Sequence, residues 1–176
     1  VQPAVKQEDK WNPDHRYNAF LENIRLSHKA GFENINYVVW SESAVPYIIN
    51  PLTSYGLLGD IASAAPKDGF VITGALRAEF KDNNRDLNKI WNTIFAISDQ
   101  AQVTENYDKN HLVPFGEYVP FADQLPFISK ITNGAVNFSS GEGLKTIKLN
   151  SKTPSFSPLV CYEAIFPDNV IDKINP

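Results

Sequence analysis

The sequence predicts a layered α/β domain, because apolar runs with two different periods alternate along the chain. Tyr17, Phe20, Leu21 and Ile24 recur at the spacing of one helix face. The next apolar run, Tyr37-Val38-Val39-Trp40, is short and rich in β-branched and aromatic residues, as in a buried strand. With 176 residues, of which 43% are hydrophobic, the chain can bury the core of one domain. Helices and strands of this length pack in layers.

Three helices are predicted. The first begins at Asn12-Pro13-Asp14, which supplies a capping side chain, a proline at the first helical position and an acidic residue, and it ends at Gly31. The second covers residues 52–65, although two glycines weaken its helical propensity. The third covers residues 163–174 and is interrupted or restarted at Pro167.

Further strands are predicted wherever short apolar runs lie between turn residues. The predicted segments are 69–76, 91–97, 102–107, 144–149 and 156–160. The first two should form a hairpin around a polar turn at residues 82–86.

Composition excludes several classes of function. The net charge of −4 is spread along the chain without a basic cluster, so a nucleic-acid partner is not expected. The three histidines, His15, His28 and His111, lack the spacing of a metal site, and we expect no metal and no cofactor. No apolar stretch reaches the roughly 18 residues that cross a bilayer, so the sequence as given predicts a soluble segment. Because neither end shows a polar tail or cap, we expect a fragment of a longer protein.

Cys161, the single cysteine, follows the predicted strand Pro158-Leu159-Val160 and precedes a possible helix start. At such a junction, backbone N–H groups stabilise a thiolate and can hold an oxyanion, so the residue could be a nucleophile. A lone cysteine beside Leu159 and Val160 could equally be a small core residue. The surrounding structure has to decide between the two interpretations.

Two more segments offer groups for such chemistry. Glu42 follows the strand at residues 37–40, where a carboxylate beside buried side chains would suit a general base, although an ordinary solvated glutamate is an equally simple interpretation. Residues 107–120 place Lys109, His111 and Glu117 among prolines and a glycine, which is typical of a loop that shapes a site. His111 could pair with the cysteine, but we prefer the interpretation that it holds the loop in place.

Glutamate after an apolar strand, lysine in Tyr-x-Lys-x-His-Leu and cysteine in Cys-Tyr-Glu, in this order, resemble the Glu-Lys-Cys triad of the nitrilase (carbon–nitrogen hydrolase) superfamily. Residues 109–120, Lys-Asn-His-Leu-Val-Pro-Phe-Gly-Glu-Tyr-Val-Pro, are similar to the signature of its apolipoprotein N-acyltransferase family. Val1-Gln2-Pro3, Lys10-Trp11 and Trp40-Ser41-Glu42 agree with the start of the nitrilase-like domain in that family. The resemblance therefore covers nearly all of residues 1–176.

The resemblance implies an α-β-β-α sandwich, which would be incomplete on its C-terminal side because only about 15 residues follow Cys161. It also implies roles for the triad: Cys161 as nucleophile, Glu42 as general base and Lys109 as the cation that stabilises the oxyanion. Supporting or substrate-binding roles are implied for a second set: Glu117, Tyr162, Glu163 and Trp11.

The family's reaction, as the resemblance implies it, moves an acyl chain from a phospholipid to the cysteine and then to the amine of a diacylglyceryl lipoprotein. Members carry transmembrane helices outside this domain, so the parent protein would lie in the bacterial inner membrane with the domain facing the periplasm. Two other interpretations remain open: a soluble amidase of the nitrilase class that hydrolyses a small amide, and an inactive remnant that retains the motifs.

Overall fold

The computed structural model describes residues 1–4, 13–81, 86–119, 137–166 and 170–172. Within them lie two α-helices, α1 (Pro13–Ser27) and α2 (Tyr55–Ala62), and two short 3-10 turns, Phe32–Asn34 and Cys161–Ile165. One sheet contains four strands in the order β1-β2-β3-β4. The strands are β1 (Tyr37–Val39), β2 (Phe70–Phe80), β3 (Leu87–Ser98) and β4 (Val103–Asp108). The prediction of a mixed α/β fold is confirmed.

The predicted hairpin is present and longer than expected. Strands β2 and β3 pair antiparallel from Phe70 opposite Ser98 to Phe80 opposite Leu87, and β4 continues the antiparallel order. The predicted turn lies mostly outside the described residues, since 82–85 are not among them. Strand β1 pairs parallel with β2, and the connection between them contains α2, as a parallel crossover requires.

One face of the sheet carries the main core. Side chains of alternate strand residues meet both helices there, as the two-residue period of a strand requires. The residues that form this core include Phe20 of α1, Leu58 and Ile61 of α2, and strand residues Val38, Val71, Phe95 and Ile97. The α1 face differs in detail from the predicted one: Phe20 is 1% exposed, but Tyr17 is 50% exposed and Leu21 is 40% exposed. Ser27 is buried instead, because its hydroxyl accepts a hydrogen bond from Trp40 Nε1 at 2.9 Å.

The opposite face of the sheet is covered by residues 144–160, and here the strand predictions are wrong. Within the described residues, the backbone pairing between segments 144–149 and 156–160 is limited to the isolated bridge between Ile147 and Phe156. Pro154 and Pro158 cannot donate to a ladder, which limits pairing between the segments. Their apolar side chains pack instead on sheet residues Phe70, Ile72, Ala96 and Tyr107. The side chains that do so are Ile147, Leu149, Phe156 and Val160.

The predicted helices at 52–65 and 163–174 are also revised. Helix α2 is shorter, since residues before Ser54 and after Ala62 form turns. The described part of the predicted third helix contains the end of one 3-10 turn, Cys161–Ile165, and residues 170–172 are not helical; residues 167–169, 173 and 174 lie outside the described residues. Phe166 is extended, with ψ 92°, as expected for a residue before proline.

The segment after β1 follows β2 without regular pairing. Trp40 N–H donates to the Ile72 carbonyl at 2.9 Å, and Val45 N–H donates to the Gly74 carbonyl at 3.2 Å. Between these two contacts the chain bulges, and Ser43 has a positive φ of 54°. A Cβ atom at Gly74 would lie 2.8 Å from Ser43 N and 3.0 Å from Glu42 Cα. The lack of a side chain at Gly74 therefore allows the backbone of Glu42 and Ser43 to lie this close to β2.

We expect Gly74→Ala to lower the free energy of unfolding by about 1–3 kcal/mol, because the new methyl group meets backbone that has to shift. Gly59→Ala is the matched control: nothing lies within 4 Å of the corresponding Cβ in α2, and alanine is the better helix former by up to about 1 kcal/mol. Urea unfolding of both variants measures the difference. Equal effects of the two substitutions would contradict the close approach at Gly74.

Candidate active site

Cys161 lies at a sharp change of chain direction. Val160 is extended, with φ −108° and ψ 118°, and Cys161 opens the 3-10 turn with a positive φ of 54°. A residue other than glycine in this conformation costs about 1–3 kcal/mol and persists only where its surroundings impose it. The side chain is exposed, which excludes the interpretation of Cys161 as a buried core residue.

The turn is held by Glu163, whose carboxylate is buried beneath it and is 2% exposed. One oxygen, Oε2, accepts the Val160 N–H at 2.8 Å. The other, Oε1, accepts the Tyr107 hydroxyl and the N–H groups of Asn110 and His111, each at 2.9 Å. Four donors offset the cost of burying this carboxylate. They also connect the Cys161 turn to the end of β4.

Glu42 lies in the bulge beside Gly74. The structure corrects the expected environment, because the residue is exposed rather than packed among buried side chains. The bulge turns the chain outward after Trp40, which removes Glu42 from the core. Its Oε1 accepts a hydrogen bond from Asn92 Nδ2 of β3 at 2.8 Å.

Glu42 and Cys161 border the same pocket, which has a volume of about 150 Å³. The two residues come from segments more than a hundred positions apart in the chain. Most of the remaining wall is apolar and comes from β2, β3 and the segment before Cys161; it includes Ile72, Ile94 and Leu159. Beside a small apolar pocket, a carboxylate can take the proton of an exposed thiol, and the sulfur can then be acylated by a substrate.

Lys109, the third predicted catalytic residue, is not among the residues that line this pocket and is 1% exposed. Its Nζ lies 2.9 Å from each carboxylate oxygen of Glu117. Glu117 Oε2 also accepts the Val113 N–H at 2.9 Å, which fixes the carboxylate within its own loop. A buried ammonium needs such a partner, since an unpaired buried charge costs several kcal/mol. The main chain of Lys109 is held too, because its N–H donates to the Asn92 carbonyl at 2.9 Å.

Of the other predicted site residues, Tyr162 follows Cys161 and is 58% exposed. Trp11 lies outside the described residues. The ring of His111 packs against Phe166 in a tilted arrangement, with 4.2 Å between the ring centroids, while the backbone N–H of His111 donates to Glu163. These contacts suit a residue that holds the loop. Among the described residues, no group of three His, Cys, Asp or Glu side chains is placed to bind a metal.

Two residues of the site were missed from the sequence. Asn92 interrupts the apolar run Ile90-Trp91-Asn92-Thr93-Ile94 in the middle of β3. A buried amide needs a hydrogen-bond partner, so an asparagine inside an apolar strand is a sequence feature that could have indicated a polar contact here. Tyr107, at 2% exposed, belongs to the Tyr-x-Lys-x-His-Leu motif, but its buried role was not predicted, because tyrosine is common in strands.

The pKa of the Tyr107 phenol is raised well above its ordinary value, first by burial and then by the charge and hydrogen bond of Glu163. Above pH about 10 the unfolded chain loses this proton while the folded protein keeps it, so the contribution of Tyr107 to stability is present below pH about 10 and declines above it. The stability difference between the parent protein and Tyr107→Phe should therefore shrink as the pH rises from 9 to 11 in urea unfolding. Tyr55→Phe, at a residue that is 71% exposed, is the control and should change less. A constant difference for Tyr107→Phe would contradict the role of the buried phenol.

The sequence profile of one protein family, described as carbon-nitrogen hydrolase, matches residues 1–174. Curated bacterial relatives are named apolipoprotein N-acyltransferase. The protein from Rhodopseudomonas palustris is 30% identical to this chain, that from Brucella suis 33% and that from Rickettsia bellii 37%. Each alignment covers 97% of this chain but only 32–33% of the relative. The chain thus spans about a third of the length of these relatives.

Among solved structures, an N-terminal amidase with an Asn-Glu-Ala peptide is similar, with a TM-score of 0.42 and 15% sequence identity. This similarity covers 81% of the chain and 34% of the amidase. The described part of the chain holds no helix with the length and apolar character needed to span a bilayer. Because the family profile matches almost its whole length, the chain belongs to the carbon–nitrogen hydrolase family.

Proposed function

We propose that this chain carries the catalytic residues of an N-acyltransferase that moves a fatty acyl chain through a cysteine thioester. The observation that carries the proposal is the pocket bordered by both Cys161 and Glu42. Cys161 is the nucleophile, and Glu42 is the general base that takes its proton. Lys109, held by Glu117, stabilises the negative charge that develops on the carbonyl oxygen of the substrate.

The reaction has two steps. In the first, the Cys161 sulfur attacks the ester carbonyl of a phospholipid, so a C–S bond forms and the ester C–O bond breaks. The proton taken by Glu42 passes to the departing alcohol, and a lysophospholipid leaves. In the second step, the amine of a diacylglyceryl-cysteine lipoprotein attacks the thioester, the C–S bond breaks and an amide forms. The amine gives up a proton, and the thiol is restored.

In this proposal, the site encloses only part of a long acyl donor. A pocket of about 150 Å³ is smaller than the roughly 300–1,000 Å³ of sites that enclose a whole small ligand. It can hold the ester group but not a fatty chain. Apolar side chains next to Cys161 are exposed, namely Tyr162 at 58% and Ile165 at 63%. They provide a surface along which the chain could lie outside the pocket.

The two lipid substrates and the relatives' name support placing the parent protein in the bacterial inner membrane, with this domain on the periplasmic side. The membrane is reached through parts of the parent protein beyond this domain. No cofactor enters the reaction, because the thiol and the carboxylate supply the nucleophile and the base.

A small-amide hydrolase of the nitrilase class is the second candidate. The observation that favours it is the same pocket volume, which suits a small amide. Both candidates use Glu42, Lys109 and Cys161, and they differ in the acceptor that takes the acyl group. The acceptor is water in the hydrolase and an amine in the transferase.

We expect incubation with phospholipid vesicles to add the mass of one fatty acyl chain to the protein, and hydroxylamine to remove it, as for a thioester. Cys161→Ala should abolish the adduct, because 176 residues contain no second cysteine. Intact-mass spectrometry measures both, on this chain and on a form extended to the length of its relatives.

Matched controls are available on the surface. Glu42→Gln and Lys109→Met should slow adduct formation by at least about 100-fold, as loss of a catalytic base or of an oxyanion donor does. Glu105→Gln and Lys152→Met change residues of the same types, whose side chains are 39% and 73% exposed, and should have no effect. An adduct that persists in Cys161→Ala would refute the nucleophile. Release of ammonia from small amides with no lipid adduct on either form would favour the hydrolase.

A further inference from the structure

Asn92 contacts two of the three proposed catalytic residues from one position on β3. Its side chain donates to Glu42 Oε1 at 2.8 Å, and its backbone carbonyl accepts the Lys109 N–H at 2.9 Å. It is 8% exposed and also lines the pocket that Glu42 and Cys161 border. From one position on β3, Asn92 therefore contacts the segments of Glu42 and Lys109 and lines the pocket that Cys161 also borders.

Glu42 needs an external constraint. It lies in an irregular bulge and is exposed, and an exposed glutamate has several rotamers that place its carboxylate differently. A general base has to lie within hydrogen-bond reach of the proton that it takes. A donor fixed on a central strand selects the rotamers that keep the carboxylate at the pocket.

The chemistry of the side chain suits this task. An amide donates a hydrogen bond to a carboxylate and does not itself ionise near neutral pH. A lysine or histidine at this position would add a charge or a second titrating group. Asparagine therefore orients the base without competing for its proton.

We infer that Asn92 is a positioning residue that holds the Glu42 carboxylate at the thiol of Cys161 and joins it to the main chain of Lys109. This inference rests on the proposed function, because it gives Glu42 the role of the base. Asn92 acts through Glu42, whose carboxylate it contacts. Its removal should therefore have little effect once Glu42 can no longer act as a base.

A double-mutant cycle tests this dependence. The rate of alkylation of Cys161 by iodoacetamide at pH 7 is followed by intact mass on the 176-residue chain, whose single cysteine makes the signal unambiguous. Asn92→Leu should slow alkylation by about 10- to 100-fold, the effect of losing one hydrogen bond to a charged group. In the Glu42→Gln background the same substitution should change the rate by less than about 2-fold. Asn92→Ser, which is too short to reach Glu42, is the second variant if the leucine variant does not fold.

Asn88→Leu is the matched control, since Asn88 is an exposed asparagine on the same strand that donates to Glu79. It should leave the alkylation rate unchanged in both backgrounds. Equal slowing by Asn92→Leu with and without Glu42 would show a merely structural role and overturn the inference. If Glu42→Gln slows alkylation but Asn92→Leu does not, the inference fails and the proposed function stands. If Glu42→Gln has no effect, the role of Glu42 in the proposed function fails as well.

Discussion

The buried carboxylate of Glu163 is the contact on which the arrangement of the site depends. It accepts hydrogen bonds from the Val160 N–H, two N–H groups after β4 and the Tyr107 hydroxyl. Without these donors, a carboxylate that is 2% exposed would be strongly unfavourable in the core. With them, the positive φ of Cys161 is imposed on the chain, and the cysteine turn is tied to the strand end that precedes Lys109.

A second constraint acts on the charges. Lys109 is fully buried, so its ammonium group requires the Glu117 carboxylate, and that carboxylate is fixed in turn by the Val113 N–H. Glu42 is controlled by contacts of a different kind, with the close approach of Gly74 on one side and the Asn92 amide on the other. Each of the three proposed catalytic residues is thus tied to another element: Glu42 and the Lys109 main chain to β3 through Asn92, and the Cys161 turn to the end of β4 through Glu163.

Local sequence patterns predicted the elements whose signals are local. Helix α1, strand β1, the β2–β3 hairpin and β4 were expected because apolar periodicity and turn residues lie within a few positions of each other. The failures were at 144–149, at 156–160 and in the described part of the predicted third helix, residues 163–166 and 170–172. In the first two segments the apolar residues pack on a sheet face, and in the third the chain conformation depends on distant groups that donate to the Glu163 carboxylate. A local sequence pattern shows neither contact.

The sequence by itself determined the family and the identity of the three candidate catalytic residues, because the motifs around Glu42, Lys109 and Cys161 are contiguous in the chain. Only the tertiary structure decided how they are arranged. It exposed Glu42, buried Lys109 with Glu117, and brought Glu42 and Cys161 to one pocket through Asn92 and Glu163. The physical reason is that a hydrogen bond or an ion pair depends on distance in space, which separation along the chain does not specify.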